Sequence, residues 1–468
     1  MDKYGVIWTR VTGQPLKLAE MVLTPSELRI TKTTEAIQLG LPGVSILHDK
    51  MNQATIIFHR TQNSSLPPQL KALMPPRTNN PQYAILSKLL ERHINVRGMP
   101  IIEQEWEMLL FAGRDAIGHL DVFRSDKEAE RYYSAPIRPD LDLNGASALW
   151  LRFKRIAENS GTEDDDIDEI LETVGPTPGV TGFNPKLLTS IVLDNQKQWD
   201  GRLSEKTGTQ VLAKIDTPIY PGIISLERLC YHYHERAGLV VPQLWSRNFN
   251  FSNESVNVLA AKRFDRADDG RPVPIESLWS VLRTGTPSKF YSTTDASMED
   301  VWKAVNLLSV NTSADRIDLF KRFVLSFLTG NGDLHLENWS ILGSHECARL
   351  SPVYDPAPMR AYRSPRSNHD ILSALPFSGI GGMDNLPYAM DGKTPDDLFM
   401  KVCDFGYTIG LSRPHSRNLV IEMLEVTADY IGEAIETIEA AITHHYRPKA
   451  PDIDGFATTL KDVRKAMM

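Results

Sequence analysis

Cysteine is scarce in this chain, and so is anything resembling a membrane segment. Its 468 residues include three cysteines, Cys230, Cys347 and Cys403. They are odd in number and far apart, which excludes a disulfide framework and a CxxC metal site and favours a reducing compartment. No uninterrupted apolar run reaches the ~18 residues that span a bilayer. Met1 to Val11 reads as a strand and lacks the basic-then-apolar texture of a signal peptide. The expected location is therefore the cytoplasm, with no membrane contact. A strong excess of one charge is also missing. The net charge of −8 argues against a chain whose main business is coating nucleic acid. Gly-x-Ser-x-Gly, zinc-ligand spacing, G-x-x-x-x-G-K-[ST] and G-x-G-x-x-G are all absent.

Two or three compact units are expected, because single cores rarely grow past roughly 250 to 300 residues. Residues 1–123 read as β-rich, with Ala54 to His59 a strand and Gly113 to Gly118 a turn entering another. An acidic cluster from Glu163 to Glu169 reads as a solvated helix start or loop. Within 124–265, strands are expected at Leu187–Leu193, Gln210–Ile215 and Val256–Phe264, with a helix at Leu226–Ala237 stopped by Gly238. Residues 266–468 read as mainly helical. Phe320, Phe323, Val324, Phe327 and Leu328 follow the helical period and run into Thr329-Gly330-Asn331. Val420 to Ile442 reads as one long amphipathic helix with Ser416 as N-cap. The fold class is α+β, two lobes with a cleft between them.

Phosphoryl transfer needs few reactive groups: a carboxylate for the acceptor hydroxyl, oxygen ligands for Mg²⁺, and a lysine for the phosphates. Asp333 and Asn338 stand five positions apart, the interval of Asp and Asn in H-R-D-x-x-x-x-N. Asp355 follows 22 residues after Asp333, beyond a strand-like Trp339–Leu342 and a turn. Lys214 lies in an apolar strand, and Glu227 on the next helix is its natural partner; an edge lysine facing solvent is the bland alternative. The glycine-rich Gly175–Lys186 lets backbone N–H groups approach phosphate, although an ordinary loop has the same texture. The literal Asp404-Phe405-Gly406 comes 71 residues after Asp333, too far for a metal motif, and reads as a chance turn.

In this order the motifs resemble the HipA family, the serine/threonine-kinase toxins of bacterial toxin–antitoxin pairs. Gly113-Arg114-Asp115-Ala116-Ile117-Gly118 resembles the family's Gly-Arg-Asp-x-x-Gly. Val180 to Lys186 is similar to its glycine-rich loop, and Ala237 to Pro242 to its helix exit. Lys262-Arg263-Phe264-Asp265-Arg266 resembles its hinge, and Gly285 to Tyr291 a later segment. Asn331 to Ser340 and Pro352 to Asp355 resemble the catalytic and metal segments.

The resemblance implies a protein-kinase-like HipA fold using ATP and Mg²⁺. Asp333 would be the catalytic base, and Asn338 and Asp355 would bind the metal. Lys214, with Glu227, would contact phosphates; Thr181, Gly182, Phe183, Asn184, Pro185 and Lys186 would close over ATP. Lys262, Arg263 and Phe264 would offer backbone groups to adenine, with His335, Asn338 and Tyr354 completing the nucleotide site. The family's loop serine is replaced by Gly179, leaving Thr181 or Thr177 as hydroxyls there. The implied partners are a protein substrate, such as an aminoacyl-tRNA synthetase or translation factor, and a small helix-turn-helix antitoxin, with DNA reached only through it. A small-molecule kinase and a nucleotide-binding co-repressor with lost activity are the alternatives.

Overall fold

The computed structural model describes residues 2–60, 64–75, 81–158, 185–216, 220–251, 254–282, 296–362, 373–378, 396–441 and 451–468. Thr181 to Asn184, Thr177, Gly179, the 163–169 acidic cluster and the 285–291 segment lie outside them. The chain divides into two compact units. The first comprises Met1–Ile215, Leu244–Glu276 and Leu342–Glu346; the second comprises Asp216–Gln243, Ser277–Ile341 and Cys347–Met468.

The first unit holds two antiparallel five-stranded sheets. In one, β1 (Lys3–Thr9), β2 (Leu16–Leu23), β3 (Glu27–Lys32), β4 (Thr55–His59) and β5 (Asp121–Phe123) run in the order β4-β3-β2-β1-β5. In the other, β6 (Lys186–Leu193), β7 (Trp199–Leu203), β8 (Thr209–Ile215), β9 (Leu244–Phe251) and β10 (Glu254–Lys262) run β7-β6-β8-β10-β9. Alternation decides which face of β8 is apolar: Val211, Ala213 and Ile215 are fully buried in the core they share with Trp150, Trp199 and Val258. Lys214 points to the opposite face.

An ionic cluster ties two of the motifs together inside this unit. Arg263 donates to both oxygens of Asp265 (3.0 and 2.7 Å) and to the Ala116 carbonyl (2.7 Å). Arg266 donates to the Gly118 carbonyl, Asp265 and Asp115. The Gly118 N–H returns a bond to Asp265 at 2.8 Å. Gly118 has φ +88° and Asp115 φ +48°, conformations that turn these backbone groups toward the arginines. Buried charge is tolerated because each ion is paired and hydrogen-bonded. The two arginines hold the Asp265 carboxyl far below its ordinary range, against the effect of burial.

The second unit is mainly helical. Its centre is the Thr312–Thr329 helix, capped at its start by Asn311. Phe323 and Phe327 meet edge-on at 4.9 Å, with Phe377 and Phe405 at 4.8 and 4.7 Å from Phe323. Asp404-Phe405-Gly406 therefore lies inside a helix, Leu398–Thr408, not in a turn. Phe405 is core, and Gly406 is where the Ser416 hydroxyl of the next helix approaches the backbone too closely for a side chain.

The single long helix expected from Val420 onward is two, Arg413–Val426 and Tyr430–Ala441. Ser412, not Ser416, is the N-cap, accepting from the His415 N–H; Ser416 is buried within the first turn. The break has a tertiary cause. Arg464 donates to the Leu424 carbonyl (2.9 Å), the Thr427 carbonyl (3.0 Å) and the Thr427 hydroxyl (2.8 Å), satisfying the helix's last acceptors.

Candidate active site

The second unit builds the acid-and-amide loop. The Thr312–Thr329 helix stops at Gly330, whose φ of +76° turns the chain sharply, and Asn331 N–H closes back on the Ser326 carbonyl at 2.8 Å. From there each loop residue fixes another. The Asn331 side chain accepts from Asp333 N–H (3.1 Å), and His335 N–H donates to the Asp333 carbonyl (2.8 Å). Asn338 donates its amide to the same carbonyl at 2.7 Å. The Asp333 backbone is held from both sides while its side chain stays 34% exposed, enough for an acceptor group to reach it.

His335 is buried, and its tautomer follows from its neighbours. Glu337 N–H donates to Nδ1 at 3.2 Å, so the ring proton of the neutral form sits on Nε2. Nε2 lies 3.7 Å from an Asp333 carboxylate oxygen.

Asp355 is tied to this loop through the residue before it. The Tyr354 hydroxyl bonds to the Ser340 hydroxyl at 2.6 Å and donates to the Glu337 carbonyl. Tyr354 thus pins the residue preceding Asn338, and Asp355 follows directly. Burial raises the Tyr354 phenol above the ordinary tyrosine range, with Glu337 and Asp355 adding to the shift. Asp355 itself has φ +53°, a conformation rare outside glycine. Its N–H donates to the Tyr231 hydroxyl at 3.0 Å.

Tyr231 lies on the Ile223–Arg236 helix, one turn beyond Glu227, which is completely buried. Burial drives the Tyr231 phenol well above its ordinary value, and the Glu227 and Asp355 carboxylates add to this. Asp216 accepts from Ile224 N–H at 3.1 Å at the start of the same helix. Burial raises its carboxyl to about 7, against the lowering effect of the Ile224 and Gly222 N–H groups and with the Glu227 charge adding to the rise.

Asn338 and Asp355 suit a hard cation. The Asn338 amide nitrogen is used on Asp333, which leaves its oxygen as the ligand atom. Among the described residues no group of three or more His, Cys, Asp or Glu could hold a metal. An amide oxygen and one carboxylate fit Mg²⁺, which keeps waters and takes its remaining ligands from phosphates.

The first unit carries the other expected residues. Lys186 and Lys214 are direct partners across β6 and β8, and both are buried, at 3% and 4% exposure. Residues opposite one another share a face, so two ammonium groups are directed to the same side of this sheet. Pro185 contributes its carbonyl to Ile215 N–H. Lys262 reaches Asp268 at 3.1 Å. Arg263 N–H is used on the Gln210 carbonyl, and its guanidinium belongs to the ionic cluster. Phe264 is half-buried. The structure thus brings Asp333, His335, Asn338, Tyr354 and Asp355 together in the second unit, where Glu227 also lies, and Lys186 with Lys214 in the first. Tyr231, Asp216 and Ser340 were not singled out from sequence. Only the four-residue step from Glu227 to Tyr231 signalled any of them.

The elements and the loop together define an α+β, kinase-like protein. A model of the HipA-like C-terminal domain matches residues 179–429, over half the chain, and the chain belongs to that family. It is 25% identical over 348 residues to "Putative kinase" of Haemophilus influenzae, covering 71% of this chain and 94% of that protein. It is 31% identical over 183 residues to "Putative kinase Y4dM" of Sinorhizobium fredii, covering 37% and 40% respectively. Among solved structures it is similar to a chain of the Shewanella oneidensis MR-1 toxin–antitoxin complex of HipA, HipB and operator DNA. The TM-score is 0.57 at 15% identity, over 96% of this chain and 95% of that one. At that identity the likeness establishes the HipA fold. Among the described residues no helix is long and apolar enough to cross a membrane.

Proposed function

We propose that this protein is an ATP- and Mg²⁺-dependent serine/threonine protein kinase, the toxin of a bacterial toxin–antitoxin pair, working in the cytoplasm. One observation carries the reading: Asp333 is held on both sides of its backbone, by Asn331 and by Asn338, with its carboxylate accessible. Such a group accepts the proton of an acceptor hydroxyl as that oxygen forms its bond to the γ-phosphorus. The Asn338 oxygen and the Asp355 carboxylate hold the cation. Mg²⁺, when bound, bridges phosphate oxygens and neutralises the charge that develops on them. Lys186 and Lys214 supply positive charge for the phosphates, and Thr181 to Asn184 the glycine-rich cover. Lys262 to Phe264 supply the adenine edge, though Arg263 has only its carbonyl left for this.

The substrate class we infer is a translation-related protein, an aminoacyl-tRNA synthetase or a translation factor. The partner we infer is a small helix-turn-helix antitoxin through which DNA is reached, by analogy with the HipA–HipB–operator complex. Incubating the protein with cell lysate and γ-labelled ATP tests the reading. Label in protein that disappears with Asp333→Gln supports it. Label in small metabolites makes the protein a small-molecule kinase. Nucleotide binding with no transfer at all makes it a co-repressor that has lost turnover.

A further inference from the structure

Asp355 occupies a left-handed conformation, φ +53°, that an L side chain adopts only at a cost of about 1 kcal/mol or more. Asp tolerates it better than most residues, but something must hold it there. Its backbone N–H is directed at the Tyr231 hydroxyl, 3.0 Å away and 124 residues distant in sequence. Tyr231 is 3% exposed, so its ring is fixed by packing. On the same helix face, four residues earlier, stands the fully buried Glu227. The phenol is therefore placed to accept from Asp355 while its own proton faces the carboxylate of Glu227. On the other side, Tyr354 anchors the adjoining residue to the Glu337 carbonyl. Asp355 is thus held from both flanks.

We infer that Tyr231 is a positioning residue: its hydroxyl fixes the backbone of Asp355 so that the carboxylate is aimed for the metal, and it makes the Glu227 helix part of that metal site. It touches neither phosphate nor cation and acts through Asp355 alone. The inference rests on the kinase reading, since it assigns Asp355 to a cation.

The test compares wild type with Tyr231→Phe, which removes one oxygen and keeps the ring. ATP binding is measured by calorimetry across a Mg²⁺ titration, alongside phosphotransfer and thermal melting. Losing an outer-shell partner of a metal ligand weakens metal affinity about tenfold or more. The expected result is a half-saturating Mg²⁺ concentration raised by that factor, with ATP affinity at saturating Mg²⁺ and the melting temperature near wild type. A merely structural tyrosine would lower the melting temperature and leave the Mg²⁺ dependence where it was; that result overturns the inference. Should Tyr231→Phe fail to fold, hydrogen exchange at the Asp355 amide of the unaltered protein decides. Protection supports the bond, and free exchange overturns it. A wild-type protein with no Mg²⁺-dependent ATP binding overturns the kinase reading itself, and the inference with it.

Discussion

The side-chain amide of Asn338 donates to the backbone carbonyl of Asp333 at 2.7 Å, so the residue proposed to hold the cation also holds the proposed base in position. One side chain therefore serves both halves of the chemistry, and the two contributions are separable by substitution.

Asn338→Asp keeps an oxygen for the cation but replaces the donating nitrogen with an oxygen facing the Asp333 carbonyl. Phosphotransfer is expected to fall about a hundredfold through mispositioning of Asp333, a size usual for small displacements of a reacting group. Mg²⁺-dependent ATP binding is expected to persist. Parallel calorimetry and single-turnover kinetics check it: equal losses in both would show that the amide serves the metal alone.

Asp333→Asn removes the base and little else. The side chain is a third exposed, and the backbone bonds from Asn331, His335 and Asn338 do not depend on its charge. Transfer from labelled ATP is expected to drop about a thousandfold, within the range for loss of a general base. The melting temperature should move by no more than a degree or two, and ATP affinity should hold. Retained transfer would remove Asp333 from the reaction.

Much of this was readable in advance, for physical reasons that differ by element. The Phe320-to-Leu328 series repeats at the helical period because one face of that helix meets the aromatic core. Lys214 stood out because a charge in an apolar strand is costly without a purpose. Asp333 and Asn338 are near neighbours in sequence, so their relation survives as a spacing. What stayed hidden depends on distant partners. Thr427 ends a helix because Arg464, 37 residues away, takes its carbonyl. Asp404-Phe405-Gly406 looked like a turn because glycine breaks isolated helices, whereas here Ser416 needs the space. Tyr231 is an ordinary helix-face aromatic until Asp355 is seen donating to it.

Asp216 should make stability depend on pH in an unusual direction. Its carboxyl is raised from an ordinary 3.8 to about 7, chiefly by burial. Between those values the folded protein keeps a proton that the unfolded chain has released, so this group's contribution is fully present below about pH 4 and lost as pH rises through 7. Asp216→Asn keeps an oxygen to accept from Ile224 N–H and removes the charge. The variant should be more stable than wild type at pH 8, by on the order of 2 kcal/mol after discounting for partial exposure, and nearly equal to it at pH 4. Denaturant titrations at the two pH values measure this; a constant difference across the range would assign the effect to packing.

Gly330 joins the core helix to the loop that carries Asp333, and two separate constraints act on it. Its φ of +76° disfavours any side chain, and a Cβ built there would lie 2.6 Å from the Phe456 ring edge. Gly330→Ala should therefore destabilise by about 2 to 4 kcal/mol, the sum of a left-handed penalty of about 1 to 2 and an overpacking penalty of about 1 to 3. The two terms can be separated. Phe456 is itself buried, so Phe456→Leu alone costs a cavity, but in its presence the added methyl at position 330 meets less resistance. In a double-mutant cycle the Gly330→Ala cost should shrink to about the conformational part when position 456 is Leu. A cost independent of residue 456 would mean that the turn alone demands glycine. Because the Gly330 carbonyl also accepts the Arg360 N–H at 3.1 Å, the strained turn should loosen the loop as well. Phosphotransfer should then fall further than the folded fraction accounts for.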